Sequence, residues 1–148
     1  MRVRVSAVFE REQEILCMKY VYGGKAVFAL PGGGVDKDVP LKDAIVVEWR
    51  NELGVKLDVG EIILIGEAPA TKRHTQTLHI IFSALEITGI PKIRPDSTHS
   101  LDIAWVPVEK LPKSPLYPDV GKQLYEYLTS GAGRSIAFIE NCMERGFW

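Results

Sequence analysis

The sequence predicts an α+β fold, an α/β/α sandwich in which helices cover both faces of a mixed β-sheet, and three observations carry the expectation. Two extended runs, residues 15–22 and 25–30, meet at Gly23-Gly24, a hairpin signal. A helix bounded by Pro40 and Gly54 follows these strands. Further strands then lead into two helical segments near the end of the chain. Strands followed by one helix, then strands followed by two, imply a mixed sheet with helices on both sides.

Each element has a local reason. Residues 3–9 alternate apolar with polar or small side chains, the pattern of a half-buried strand, and Arg11-Glu12-Gln13 is a polar turn. After Leu30-Pro31-Gly32-Gly33-Gly34, Pro40 suits a first helical turn, where its missing N–H costs nothing, and Gly54 suits the left-handed position that stops a helix. Residues 61–65 and 75–86 read as strands, the second long and rich in β-branched and apolar residues. Proline and glycine punctuate an excursion over residues 88–100 before a strand at 101–106. Residues 118–128 form a short helix closed by Ser130-Gly131-Ala132-Gly133. Residues 134–145 read as a final helix, with Ile136, Ile139 and Met143 at helical spacing. There is no repeat, low-complexity tract or linker, so a single domain over 1–148 is expected, its C-terminal helices at about 118–145.

Composition excludes several function classes. With 46% hydrophobic and 25% charged residues, the chain is of ordinary globular type. A net charge of −1 gives no general attraction to nucleic acid or to an anionic membrane, so any polyanion site must be local. No apolar run approaches the ~20 residues that span a bilayer. The opening residues alternate like a strand and do not resemble a signal peptide, so a cytoplasmic location is expected. Cys17 and Cys142, far apart and without metal-type spacing, are expected as buried free thiols.

The chemistry concentrates between residues 31 and 55. Three glycines after Pro31 allow a tight turn and close approach of backbone to a ligand. The helix that follows places Glu48 and Glu52 four residues apart, on one face. At roughly 100° per residue, that face is the apolar arc of Leu41, Ala44, Ile45, Trp49 and Leu53, with Asp43 and Arg50 opposite. Carboxylates within an apolar face are costly unless they meet a cation or hydrogen-bond donors. Like charges at this spacing also repel, and a divalent cation removes both objections. A salt-bridged structural pair and a solvated face are the alternative readings of the same spacing.

This order of loop, acidic helix and glycine stop resembles the signature of the Nudix hydrolases, G-x5-E-x7-R-E-U-x-E-E-x-G-U, where U is a bulky apolar residue. Gly33 takes the first glycine, Glu48 the glutamate of the R-E pair, Trp49 the apolar position, Glu52 the second paired glutamate, and Gly54-Val55 the close. Val39, Val47 and Asn51 depart from the pattern, standing where it has a glutamate, an arginine and a glutamate. Residues 26–31 resemble the strand that leads into the box and residues 102–111 the family's late strand and turn, so the resemblance covers most of residues 3–129. It implies a Mg2+ or Mn2+ site at Glu48 and Glu52, which also serve as the catalytic acids, with a phosphate chain cradled by Gly32, Gly33 and Gly34. The resemblance places Phe28 and Tyr20 beside the cleft, where either can stack a base, and packing in the core is the alternative for both. Asn51 retains an amide oxygen but no charge, so metal should bind more weakly than is usual in the family. A small apolar contact, or separate burial, is expected to stand in for the polar partners lost at Val39 and Val47.

Other candidates stand apart. Lys72-Arg73-His74 is a basic cluster whose Arg73 can meet substrate phosphates, although a solvated loop explains it as well. Glu67 could supply a further acid and Asp102 occupies an acidic position of the late strand. His79, in an apolar strand, is expected to be satisfied or rim-facing. The resulting expectation is a hydrolase cleaving a diphosphate linkage in a small nucleoside diphosphate derivative, with no nucleic-acid or membrane partner. The alternative is a nucleotide-binding or regulatory protein that kept the fold and lost turnover. Homodimers are common in the family, and Phe147-Trp148 are expected to be buried on the domain or across such an interface.

Overall fold

The computed structural model describes residues 1–96, 98–131 and 135–146. Strands β1 (Arg2–Val8), β2 (Glu10–Arg11), β3 (Glu14–Tyr22), β4 (Lys25–Ala29) and β5 (Gly32–Gly34) precede helix α1 (Leu41–Leu53). Strands β6 (Lys56–Ala68), β7 (Thr77–Thr88) and β8 (Asp102–Pro107), a 3-10 segment (Val108–Lys113) and β9 (Leu116–Tyr117) precede helix α2 (Gly121–Thr129) and strand β10 (Ala137–Ile139).

The α+β layered class holds, but the strands divide between two sheets. The first runs β10-β6-β7-β1-β5 and is mixed, with β1 parallel to β7 and β10 parallel to β6. The second runs β2-β3-β4-β9, with β8 on the other edge of β3. Period-two alternation sends each sheet into two cores. Val5, Ala7, Ile80 and Phe82 join Leu16 and Met18 around Ala44, Ile45, Trp49 and Leu53 of α1. Ile81 and Leu64 join Ile15, Cys17 and Leu30 around Leu124 of α2. Cys17 and Cys142 are free and buried.

Helix α1 starts after extended Pro40 (φ −60°, ψ 143°) and stops at Gly54, whose φ of 69° is the left-handed value that disfavours a side chain. The glycine loop was expected as a turn. Instead Gly32–Gly34 is an edge strand paired antiparallel with β1, Gly33 opposite Val5. A Cβ on Gly32 would collide with the Val5 carbonyl, so close pairing requires glycine there.

Among the described residues of the expected final helix (134–145), 135–145 do not form a helix. Within it, Ala137–Ile139 is a strand pairing parallel with β6, Ile139 opposite Gly66. Of the three residues at helical spacing, only Ile139 is buried, whereas Ile136 is 56% exposed. The segment is fixed by tertiary bonds: the Cys142 amide donates to the Glu67 carbonyl (3.0 Å), and Arg145 Nε donates to Asp119 Oδ1 (2.9 Å). The expectation for Phe147 and Trp148 lies outside the described residues.

Candidate active site

Trp49 fixes the helix against the glycine strand. Its ring is fully buried, and Nε1 donates to the Pro31 carbonyl at 3.0 Å. One residue before it, Glu48 reaches beneath Gly33, where a Cβ would lie 2.6 Å from Glu48 Cδ and 2.8 Å from both carboxylate oxygens. Gly33 is therefore the seat of the Glu48 carboxylate. Glu52, one turn along, is half-buried beside it.

The electrostatics agree with the crowding. Burial pushes the Glu52 carboxyl up to about 7, and the Glu48 charge adds to the shift, while Arg4 opposes it. Burial likewise raises Glu48, opposed by Arg4 and assisted by Asp36. Among the described residues, neither carboxylate has a salt-bridge partner within 4 Å; the salt bridge found is Arg145–Asp119. Two half-buried carboxylates that repel each other and lack a contacting cation fit a divalent ion. Magnesium, which keeps several waters, needs one or two carboxylates beside substrate oxygens. Among the described residues, no group of three or more acidic, histidine or cysteine side chains forms a metal cluster.

Three expected features take different positions. Asn51 is exposed on the helix. Val39 and Val47 are 37% and 38% exposed, so burial does not replace the polar partners of the family pattern. Tyr20 lies within electrostatic range of Glu52 and Arg4. Phe28 is different: β3–β4 register pairs it with Lys19, and Tyr20 with Val27, so Phe28 and Tyr20 face opposite sides of the sheet. Phe28 packs on the α2-side core while Tyr20 packs on the α1 side, and the two do not flank one cleft. Glu67 accepts a hydrogen bond from Gln76 (2.7 Å), and Asp102 is exposed, its Oδ1 accepting from the Ile103 amide.

Arg4 was missed by the sequence reading, because in an alternating strand it counts as a solvent-facing position. Its face is covered. Nη2 donates to the Leu30 carbonyl (2.9 Å), Cζ sits 4.9 Å from the centre of the Tyr117 ring, and Nη1 is enclosed without a partner among the described residues. His79, opposite Arg4 in the β1–β7 register, is neither satisfied nor at the rim. It is 0% exposed, both ring nitrogens lack partners among the described residues, and burial with Arg4 and Arg2 nearby lowers its pKa to about 3. Arg73 lines a pocket of about 300 Å³ together with Arg2, His74 and Tyr117. Arg2 also links that pocket to the glycine strand, since a Cβ on Gly34 would lie 3.4 Å from its Nη2.

A sequence model of the NUDIX domain matches residues 1–128, spanning the glycine strand, α1 and Tyr117. The chain belongs to the Nudix family. Members of this hydrolase family generally use divalent metal ions and act on small-molecule nucleotide substrates. The Nudix fold is shared with solved structures. The E. coli ORF135 protein superposes with a TM-score of 0.75 at 23% identity, over 90% of this chain and 93% of that one. A MutT NUDIX hydrolase from Burkholderia pseudomallei gives 0.72 at 24% identity, over 86% and 98%. An ADP-ribose pyrophosphatase from Streptococcus suis gives 0.63 at 20% identity, over 93% and 98%. No curated protein matches the sequence.

Proposed function

We propose that this Nudix protein is a metal-dependent hydrolase that cleaves the diphosphate linkage of a nucleoside diphosphate derivative, using Mg2+ or Mn2+. The observation that carries the reading is the half-buried Glu48–Glu52 pair, with Glu48 against Gly33 and, among the described residues, no contacting cation. Glu48 and Glu52 would hold the ion, which when bound neutralises charge developing on the phosphate oxygens. Gly33 keeps Glu48 aimed, and the backbone of Gly32–Gly34 offers the phosphate chain a surface without side chains. The Trp49 bond to Pro31 holds strand and helix in register, so the carboxylates are positioned before substrate arrives. Arg4 and Arg73 add positive charge along the approach. In-line attack by water yields a nucleoside monophosphate and a phosphorylated product. The reading includes a cytoplasmic homodimer, tested by mass in solution with and without Phe147 and Trp148.

A specific observation favours a second reading, in which the chain binds nucleotides without turnover. Arg4 already offsets the charge of both glutamates, and the box has lost acids at Val39 and Asn51. One experiment separates the two: nucleoside diphosphate derivatives, ADP-ribose among them, are incubated with Mg2+ and with Mn2+ while binding and product are followed in parallel. Product that disappears in Glu48→Gln supports the hydrolase. Saturable binding with no product from any compound supports the second reading.

A further inference from the structure

Among the described residues, the buried side-chain polar atoms without partners are Arg4 Nη1, Ser6 Oγ and both ring nitrogens of His79. They are not scattered. Arg4 and His79 are register partners on β1 and β7, and Ser6 is the next residue of β1 on the same face. The preceding pair on that face is Arg2 and Thr77, both of which line the 300 Å³ pocket. A row of polar side chains therefore continues along this face behind Arg2 and Thr77, the two that line the pocket, to Arg4, His79 and Ser6, which do not line it. Tyr117 covers the row, lining the pocket while its ring lies 5.4 Å from the His79 ring and 4.9 Å from Arg4 Cζ.

The pocket is cationic. Thr71 Oγ accepts from the Arg73 amide (3.2 Å) and the His74 amide (3.0 Å), and the Thr71 amide donates to the His74 carbonyl, closing a turn that presents both side chains. Among the described residues, Arg2, Arg73 and His74 have no acidic partner within 4 Å. His79 behind them is neutral, so it offers one donor and one acceptor and no charge. Arginines without an acidic partner around a cavity, with the Arg4 guanidinium on the strand face behind it, match an oxygen-rich anion and would repel a cationic ligand.

We propose that the Arg2–Arg73–His74 pocket, with Arg4 behind it on β1, binds a phosphate monoester carried by the substrate in addition to the diphosphate that is cut. The substrate class this names rests on the hydrolase reading; the phosphate site itself does not. Arg2 beside Gly34 makes the two regions neighbours, so one extended ligand can occupy both.

The test uses the whole chain with a chelator present, so that no metal recruits the anion to the glutamates. Inorganic phosphate is titrated at constant ionic strength while the melting temperature and the imidazole NMR signals of His74 and His79 are followed. The expected result is a saturable rise in melting temperature and movement of both histidine signals. Arg73→Ala and Arg2→Ala, at exposed positions, should each weaken phosphate about tenfold, the scale of one charge-assisted hydrogen bond. Glu52→Gln should leave phosphate affinity intact or raise it. The proposal is overturned if no saturable response occurs, if both arginine variants respond as wild type, or if an uncharged nucleoside moves the same signals and phosphate does not. Phosphate binding without hydrolysis of any substrate would sink the hydrolase reading alone. Hydrolysis without a phosphate response would sink the pocket alone.

Discussion

Glu52→Gln should stabilise the metal-free protein above neutral pH while removing its response to metal. Glu52 titrates at about 7 in the fold against an ordinary 4.5, mainly because burial disfavours its charge. A carboxyl raised in the folded state contributes stability that is present below its unfolded pKa and lost as pH rises through the folded value. At roughly 1.4 kcal/mol per pH unit, the shift corresponds to an upper bound of about 3.4 kcal/mol. Glu52 is only half-buried, and solvent screening reduces this to about 1.5–2 kcal/mol. Glutamine is nearly isosteric and neutral, so the variant escapes the loss. At about 2–4 °C per kcal/mol for a chain of this size, Glu52→Gln should melt about 5 °C above wild type at pH 8 with a chelator. At pH 4.5 or below, where wild-type Glu52 is itself protonated, the two should melt together.

Adding Mg2+ at pH 8 should reverse the order, because binding to the folded state stabilises wild type by mass action and the amide cannot balance the ion's charge. The assay is differential scanning calorimetry of both proteins at the two pH values, with chelator and with Mg2+. If Glu52→Gln lowers the melting temperature equally at both pH values, the carboxylate is held by favourable structural contacts and the strained-pair argument fails.

Gly33→Ala should cost little stability, because the Cβ meets the end of a flexible side chain, yet it should weaken Mg2+ binding at least about tenfold by displacing Glu48; calorimetric titration checks both. Trp49→Phe removes the bond to the Pro31 carbonyl, so a loss of about 1–2 kcal/mol in a denaturant melt is expected, with weaker metal binding as the glycine strand loosens. Asn51→Glu should lower the Mg2+ concentration for half-maximal turnover, since position 51 adjoins Glu52 and lies one turn from Glu48; a fall in activity would mean that Asn51 itself contacts substrate or water.

Helix α1 was legible because its signals agree: Pro40 before it, Gly54 after it and an apolar arc along it. The glycine strand was not, because a strand of three glycines has no side chains to alternate and is defined only by its pairing with β1. The last helix failed for the opposite reason. Ile136, Ile139 and Met143 gave a helical period by coincidence, whereas Gly66 opposite Ile139 and the Arg145–Asp119 contact decide the fold of that segment. Glu48 and Glu52 could be chosen from spacing alone, since i and i+4 share a helix face whatever the tertiary structure. Arg4 and His79 could not, because their partnership is a β1–β7 register about 75 residues apart in sequence. The signal that marks Arg4 in the sequence is a long cation set between Val3 and Val5 in a mostly apolar strand.

Arg4 changes what the thinned box means. The family pattern keeps its arginine and several acids within one helix and loop, but here the arginine position is Val47, exposed to solvent. The positive charge comes instead from β1, outside the box, while the acids within α1's inner face fall to two. Without metal, and above neutral pH where Glu52 is ionised, the pair and Arg4 leave one net negative charge, a weak trap for a free ion. With a divalent ion bound, the same site becomes net positive and favours a polyphosphate. A site that had simply decayed would bind neither metal nor nucleotide well. A site rebuilt around Arg4 would bind each weakly alone and both strongly together, because each supplies the charge the other needs. By linkage that coupling is reciprocal: nucleotide must tighten Mg2+ by the same factor that Mg2+ tightens nucleotide. The size of that factor, measured in Glu48→Gln and wild type, distinguishes a specialised Nudix site from a relic of one.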